Sequence, residues 1–111
     1  MAQEEPSLTG MDRREAYRAH YYADVDIEWG PSTLRARTTD ISLDGMMVET
    51  PSPLAAGTEF RARVFLSEGA PLEVECVVKQ TFEGKGMGVS FTELKSADNA
   101  RLRKLLAGLP H

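Results

Sequence analysis

Two short runs of residues have the types and spacings that chemistry needs. In Arg13-Arg14-Glu15-Ala16-Tyr17-Arg18, Arg14 and Arg18 stand four apart, and in Asp40-Ile41-Ser42-Leu43-Asp44-Gly45 an Asp, a Ser and a Gly occupy the first, third and sixth places. A guanidinium is a planar fork that matches phosphate oxygens or the O6 and N7 edge of guanine, and its flat face can stack on a purine. A carboxylate such as Asp40 can accept both N1–H and N2–H of guanine, and a hydroxyl such as Ser42 can donate to a phosphate oxygen. Gly45, with no side chain, would let the turn come close to a ligand.

Each run also has a plain structural use. With nine arginines in 111 residues, one spaced pair is expected by chance and could be solvated surface. Asp and Ser side chains commonly close turns on their own backbone, and Gly supplies the conformations that turns require. Only the combination points to one ligand class, a guanine carrying phosphate.

The composition bounds what else the chain can do. The net charge of -4 argues against a nucleic-acid-binding surface, so an anion site must be local and no DNA or RNA partner is expected. Asp12 and Glu15 beside the arginines would partly neutralise their field. Cys76 is the single cysteine, which excludes an intramolecular disulfide and a cysteine-rich zinc site. His20 and His111 have no Cys or His companions in sequence, and nothing pairs a nucleophile with a base, so neither a metal, a cofactor nor an enzymatic activity is expected. The first ten residues lack the basic and apolar stretches of a secretory signal, and no run of ~20 apolar residues is long enough to span a membrane. The expectation is a cytoplasmic protein with no membrane insertion.

The elements that must position these residues are strands. Over 21–29, Tyr21, Ala23, Val25, Ile27 and Trp29 alternate with Tyr22, Asp24, Asp26 and Glu28, the period of a half-buried strand. Gly30, Pro31 and Ser32 break it, and Leu34, Ala36 and Thr38 then alternate with Arg35, Arg37 and Thr39, which predicts a hairpin. Three more strands follow: 46–50; a strand with Phe60, Ala62, Val64 and Leu66 on one face; and one with Leu72, Val74, Cys76 and Val78. A sixth over 85–91 has Met87, Val89 and Phe91 on one face and Gly86, Gly88 and Ser90 on the other, where glycines suggest close backbone approach or bending. Asp24, Asp26 and Glu28 read as a solvated face, and Cys76 as core. Six short strands favour a closed barrel, because closure removes exposed edges. After Ser96, a candidate N-cap, Leu102, Leu105, Leu106 and Leu109 form an apolar stripe at helical spacing, with Gly108 as the stop. That stripe is expected to pack on the barrel or plug one mouth.

On Arg14, Arg18, Asp40, Ser42 and Gly45 the chain resembles the PilZ domains, whose motif is Arg-x-x-x-Arg followed across a strand pair by Asp or Asn-x-Ser-x-x-Gly. Gly86-Met87-Gly88-Val89-Ser90-Phe91 looks like the family's last barrel strand. The resemblance implies an all-β fold: a six-stranded antiparallel β-barrel with a C-terminal α-helix packed on it and a flexible N-terminal arm. It implies a tail over 1–11 and a PilZ domain over 12–109, with the arginine arm at 12–20, the barrel at 21–94 and the helix at 96–107. It implies a receptor for the bacterial second messenger cyclic di-GMP, in which Arg14 and Arg18 contact guanine and phosphate, Asp40 and Ser42 lie on the barrel side of the ligand, and Gly45 shapes the turn. Arg13 would accompany a stacked pair of ligand molecules, an arrangement compatible with a ligand-mediated dimer. The arm would order on binding and signal to a separate, unidentified downstream protein. The contrasting expectation is a protein-interaction barrel of the same fold that binds no dinucleotide.

Overall fold

The computed structural model describes residues 19–109. Six strands and one helix follow in order: β1 (Ala19–Trp29), β2 (Ser32–Ile41), β3 (Gly45–Glu49), β4 (Glu59–Val64), β5 (Leu72–Phe82), β6 (Gly86–Glu93) and α1 (Ser96–Ala107). Every neighbouring pair is antiparallel, and the sheet closes in the order β1-β2-β3-β6-β5-β4. Closure pairs β1 with β4, Val25 opposite Val64 and Ile27 opposite Ala62, and so joins the two strands that would be the edges of an open sheet.

Alternation along the strands sets the core. Val25, Ile27, Phe60, Ala62, Val64, Leu72, Val74, Cys76, Val78, Met87 and Val89 all point inward and are buried, as their period-two spacing implies. Trp29 departs from this pattern, with 47% of its surface exposed. It is the last residue of β1, beside the turn at Gly30, where the barrel wall ends and no facing side chains remain to cover it.

Two glycines are demanded by strand approach. A Cβ on Gly45 would overlap the Val89 carbonyl oxygen, and one on Gly86 would overlap that of Val48, so both positions of the β3–β6 pair exclude any side chain. Gly88 differs, since a Cβ there would meet nothing within 4 Å.

The first strand begins at Ala19, so His20 belongs to the barrel wall. The helix runs over the residues expected, but Lys95, not Ser96, occupies its N-cap and makes no side-chain cap bond. Leu102 and Leu106 are buried in the barrel core, and Leu105 and Leu109 pack partly against it. The Arg101 guanidinium donates to the carbonyls of Ala70 and Glu68, tying the helix to the β4–β5 connection. No described helix is long and apolar enough to cross a membrane.

The outer wall carries cross-strand ion pairs. Arg35 donates to Asp26 at 2.6 Å and lies 3.4 Å from Asp24; Arg37 donates to Glu49 at 2.6 Å; Arg61 donates to Glu75 at 2.8 Å; and Arg63 lies 3.2 Å from Glu28. The acidic residues of β1 thus form a compensated outer face, Asp24 exposed and Asp26 and Glu28 half-buried, and the hydrogen bond that Arg35 donates to Asp26 holds its guanidinium even more firmly protonated than usual.

Candidate functional site

Asp40 lies near the end of β2, half-buried on the outer wall, with His20 of β1 and Met47 of β3 as its Cα partners on either side. The wall is irregular here. On the β1 side two residues, Tyr21 and Tyr22, fall between the pairs His20–Asp40 and Ala23–Thr38, whereas β2 has only Thr39 there. On the β3 side Thr39 is itself the extra residue, between the pairs Thr38–Val48 and Asp40–Met47. Bulges of this kind re-aim side chains, and these two coincide at the residue before Asp40.

Thr38 holds the irregularity from inside. Its side chain is fully buried, and its hydroxyl lies 2.9 Å from the carbonyl oxygens of both Asp40 and Met47. One hydroxyl proton serves two acceptors, one on each side of the bulge, so Thr38 fixes the backbone that carries Asp40. Alternation with Leu34 and Ala36 puts Thr38 on the inward face but does not by itself give it a role. The available signal was a hydroxyl at a core position, which must find partners to be buried.

The turn after Ile41 is braced by Ser42, which is only 2% exposed. Its backbone N–H donates to the Gly45 carbonyl at 2.8 Å, and its Oγ accepts from the N–H groups of Asp44 at 3.1 Å and Gly45 at 3.3 Å. The Asp44 carbonyl accepts from Phe91 N–H at 2.8 Å, fastening the turn to β6. The turn-closing use of Ser and Gly is therefore present: Ser42 satisfies the turn's donors, and Gly45 is bare because β6 passes against it.

Arg13, Arg14 and Arg18 lie outside the described residues, as do Tyr17 and His111. The described chain starts one residue after Arg18, at Ala19, whose Cα partner is Ile41. The arginine run therefore leads directly into the strand position beside the Asp40–Ser42 segment. Four residues outside the motif share this wall. His20 is exposed opposite Asp40, and Tyr22, Arg37 and Glu49 stand in a row across β1, β2 and β3.

Among the described residues, no group of three or more His, Cys, Asp or Glu side chains gathers where it could hold a metal ion. Cys76 is buried in the core, and that burial pushes its thiol up to about 12. It is inert packing rather than a nucleophile.

Comparison with solved structures extends the fold assignment. The Bacillus subtilis inhibitor of motility MotI/DgrA superposes with a TM-score of 0.74 at 25% identity, over 88% of this chain and 53% of that one. The PilZ domain of Escherichia coli YcgR, solved with c-di-GMP, superposes with a TM-score of 0.72 at 19% identity, over 88% of this chain and 92% of that one. MrkH of K. pneumoniae in its apo state gives 0.73 at 20% identity, over 93% and 53%. This chain thus spans about half the length of the motility inhibitor and of MrkH. No curated protein sequence matches it. The sequence model of the PilZ domain matches residues 12–108, which include the arginine run, all six strands and the helix, and the chain belongs to the PilZ domain family.

Proposed function

We propose that this chain is a receptor or adaptor module for cyclic di-GMP, without enzymatic activity, working in the cytoplasm. The ligand is clasped between Arg14 and Arg18 of the N-terminal arm and the barrel wall at Asp40, with Arg13 accompanying a second, stacked ligand. The observation that carries this reading is the position of Asp40. It is a half-buried carboxylate on the outer wall, seated on a double bulge, beside the strand position into which the arginine run leads. YcgR, which shares the fold, was solved with the same dinucleotide.

The roles within the motif divide by exposure. Asp40 accepts the N–H edge of guanine. Ser42 and Gly45 act through the turn, one bonding its backbone N–H groups and the other allowing β6 to approach, so that the wall beside Asp40 keeps its shape. Ligand binding orders the arm against the wall, and the ordered arm is what a separate downstream protein reads.

Calorimetry with cyclic di-GMP tests this. Binding is expected, and Arg14→Ala, Arg18→Ala and Asp40→Ala should each weaken it severely, since truncating one half of a desolvated charged contact costs ~2–5 kcal/mol. Absence of heat and of amide chemical-shift changes at millimolar ligand would refute the reading. The burial of Ser42 within its turn favours the alternative in that case, a barrel in which the Asp-x-Ser-x-x-Gly segment is architectural and the arm binds a protein.

A further inference from the structure

Tyr22 has 66% of its surface exposed, more than any other large apolar side chain among the described residues. The position is unusual for the barrel. Trp29 and Leu34 are exposed where the β1–β2 hairpin outruns the barrel, but Tyr22 stands on the wall itself. It is there because β1 slips by one residue between His20 and Ala23, which sets Tyr21 and Tyr22 together opposite Thr39. Tyr21 turns partly inward, and its hydroxyl accepts from Ser67 N–H at 3.3 Å, leaving Tyr22 outside.

The ring is held in place. The Arg37 guanidinium lies 5.8 Å from its centroid, and Arg37 is itself anchored by its 2.6 Å bond to Glu49. A three-strand row, Glu49 to Arg37 to Tyr22, thus restrains an aromatic ring that packing against the core does not. A cation covers one side of the ring, and the rest stays open to solvent. Tyr22 is two residues, or ~7 Å, along β1 from His20, the cross-strand neighbour of Asp40. A ligand whose guanine edge meets Asp40 therefore has this ring within the span of its own bases.

We infer that Tyr22, oriented by Arg37 and Glu49, is a stacking platform for a guanine base of the ligand held at Asp40. The inference rests on the dinucleotide reading above and extends its site along β1. An aromatic face suits any base, and a guanidinium on the far side of the ring strengthens the stack. Tyr22 contributes affinity for the purine face, while Asp40 reads the guanine edge.

The test uses the full chain and cyclic di-GMP. Tyr22→Ala should weaken binding about 5- to 150-fold, the range for loss of one base–aromatic stack. Tyr22→Phe should bind within about twofold of the parent, because the ring face is kept, whereas Tyr22→Leu should resemble Tyr22→Ala. Arg37→Ala should give a smaller loss than Tyr22→Ala, as a positioning residue. The guanine H8 resonance of the ligand should move upfield on the parent protein and on Tyr22→Phe, and less on Tyr22→Ala and Tyr22→Leu. The ligand-free thermal midpoints of the Tyr22 variants should match the parent, since so exposed a ring carries little of the core. If the parent binds and Tyr22→Ala or Tyr22→Leu binds equally well with the same H8 shift, the inference is overturned while the dinucleotide reading stands. If the parent itself does not bind, both fall.

Discussion

Replacing Thr38 by Val tests whether the bulge beneath Asp40 is held by one hydroxyl. Valine has nearly the shape of threonine, so the change opens no cavity and removes only the polar group. In the folded protein that group is fully buried, with the Asp40 and Met47 carbonyl oxygens each 2.9 Å away. Deleting the donor takes that bond from both carbonyls, and the penalty for a buried polar group left unsatisfied is about 1–3 kcal/mol. The extra methyl of valine returns up to about 0.8 kcal/mol of burial, so a net loss of up to about 2 kcal/mol is expected. For a domain of this size that lowers the midpoint of thermal unfolding by up to roughly 16 °C. Urea unfolding of the parent, Thr38→Val and Thr38→Ser measures it. The serine variant keeps the donor and loses a methyl, so it reports the packing part alone. Cyclic di-GMP titration should show Thr38→Val weakened more than Thr38→Ser, because Asp40 rides on the backbone that the hydroxyl pins. If Thr38→Val unfolds at the parent's urea midpoint or above it with an unchanged m-value, the hydroxyl does not hold the bulge and the account of Asp40 positioning fails.

Other consequences follow from the same geometry. Gly45→Ala drives a Cβ into the Val89 carbonyl oxygen and should cost at least about 1–3 kcal/mol of stability as the β3–β6 pair shifts; urea unfolding checks it, and a neutral effect would mean that the pair is slack. Cys76, with its thiol raised to about 12, should resist alkylation in the folded state at pH 8 and react only on denaturation, as a timed thiol-reagent assay would read. Because its pKa is raised on folding, the folded state holds the proton where the unfolded state releases it. Its contribution to stability is then full below the ordinary thiol range of about 8.5–9 and should be lost as pH rises towards about 12. A Cys76→Ser comparison between pH 8 and pH 11 by urea unfolding isolates that slope.

The outline of the barrel was legible because strand alternation is local. Val25 and Ile27, Phe60, Ala62 and Val64, and Leu72, Val74 and Cys76 announce their inward face by spacing alone, and the leucine stripe of α1 announces its buried side in the same way. Trp29 obeyed the spacing and still emerged into solvent, because alternation says which face a residue takes but not where the wall ends. Asp40, Ser42 and Gly45 were legible as a group by residue type. Their division of labour was not: Ser42 is occupied by the turn's own N–H groups, and Gly45 answers to β6, some forty residues further along the chain. Thr38 was hidden by burial, and Tyr22 was legible as an aromatic on a polar face but not as a neighbour of Asp40.

By itself, then, the sequence determined six alternating segments, an apolar interior, a polar outer face and a family motif. Only the tertiary structure decided that β1 closes on β4 and β3 on β6, that one-residue slips coincide beside Asp40, and that Tyr22, Arg37 and Glu49 form a row across three strands. The pleat repeats every two residues and is written in neighbouring side chains. Register and bulge are settled between strands far apart in the chain, by which backbone can come close enough to bond, and no local pattern carries that information.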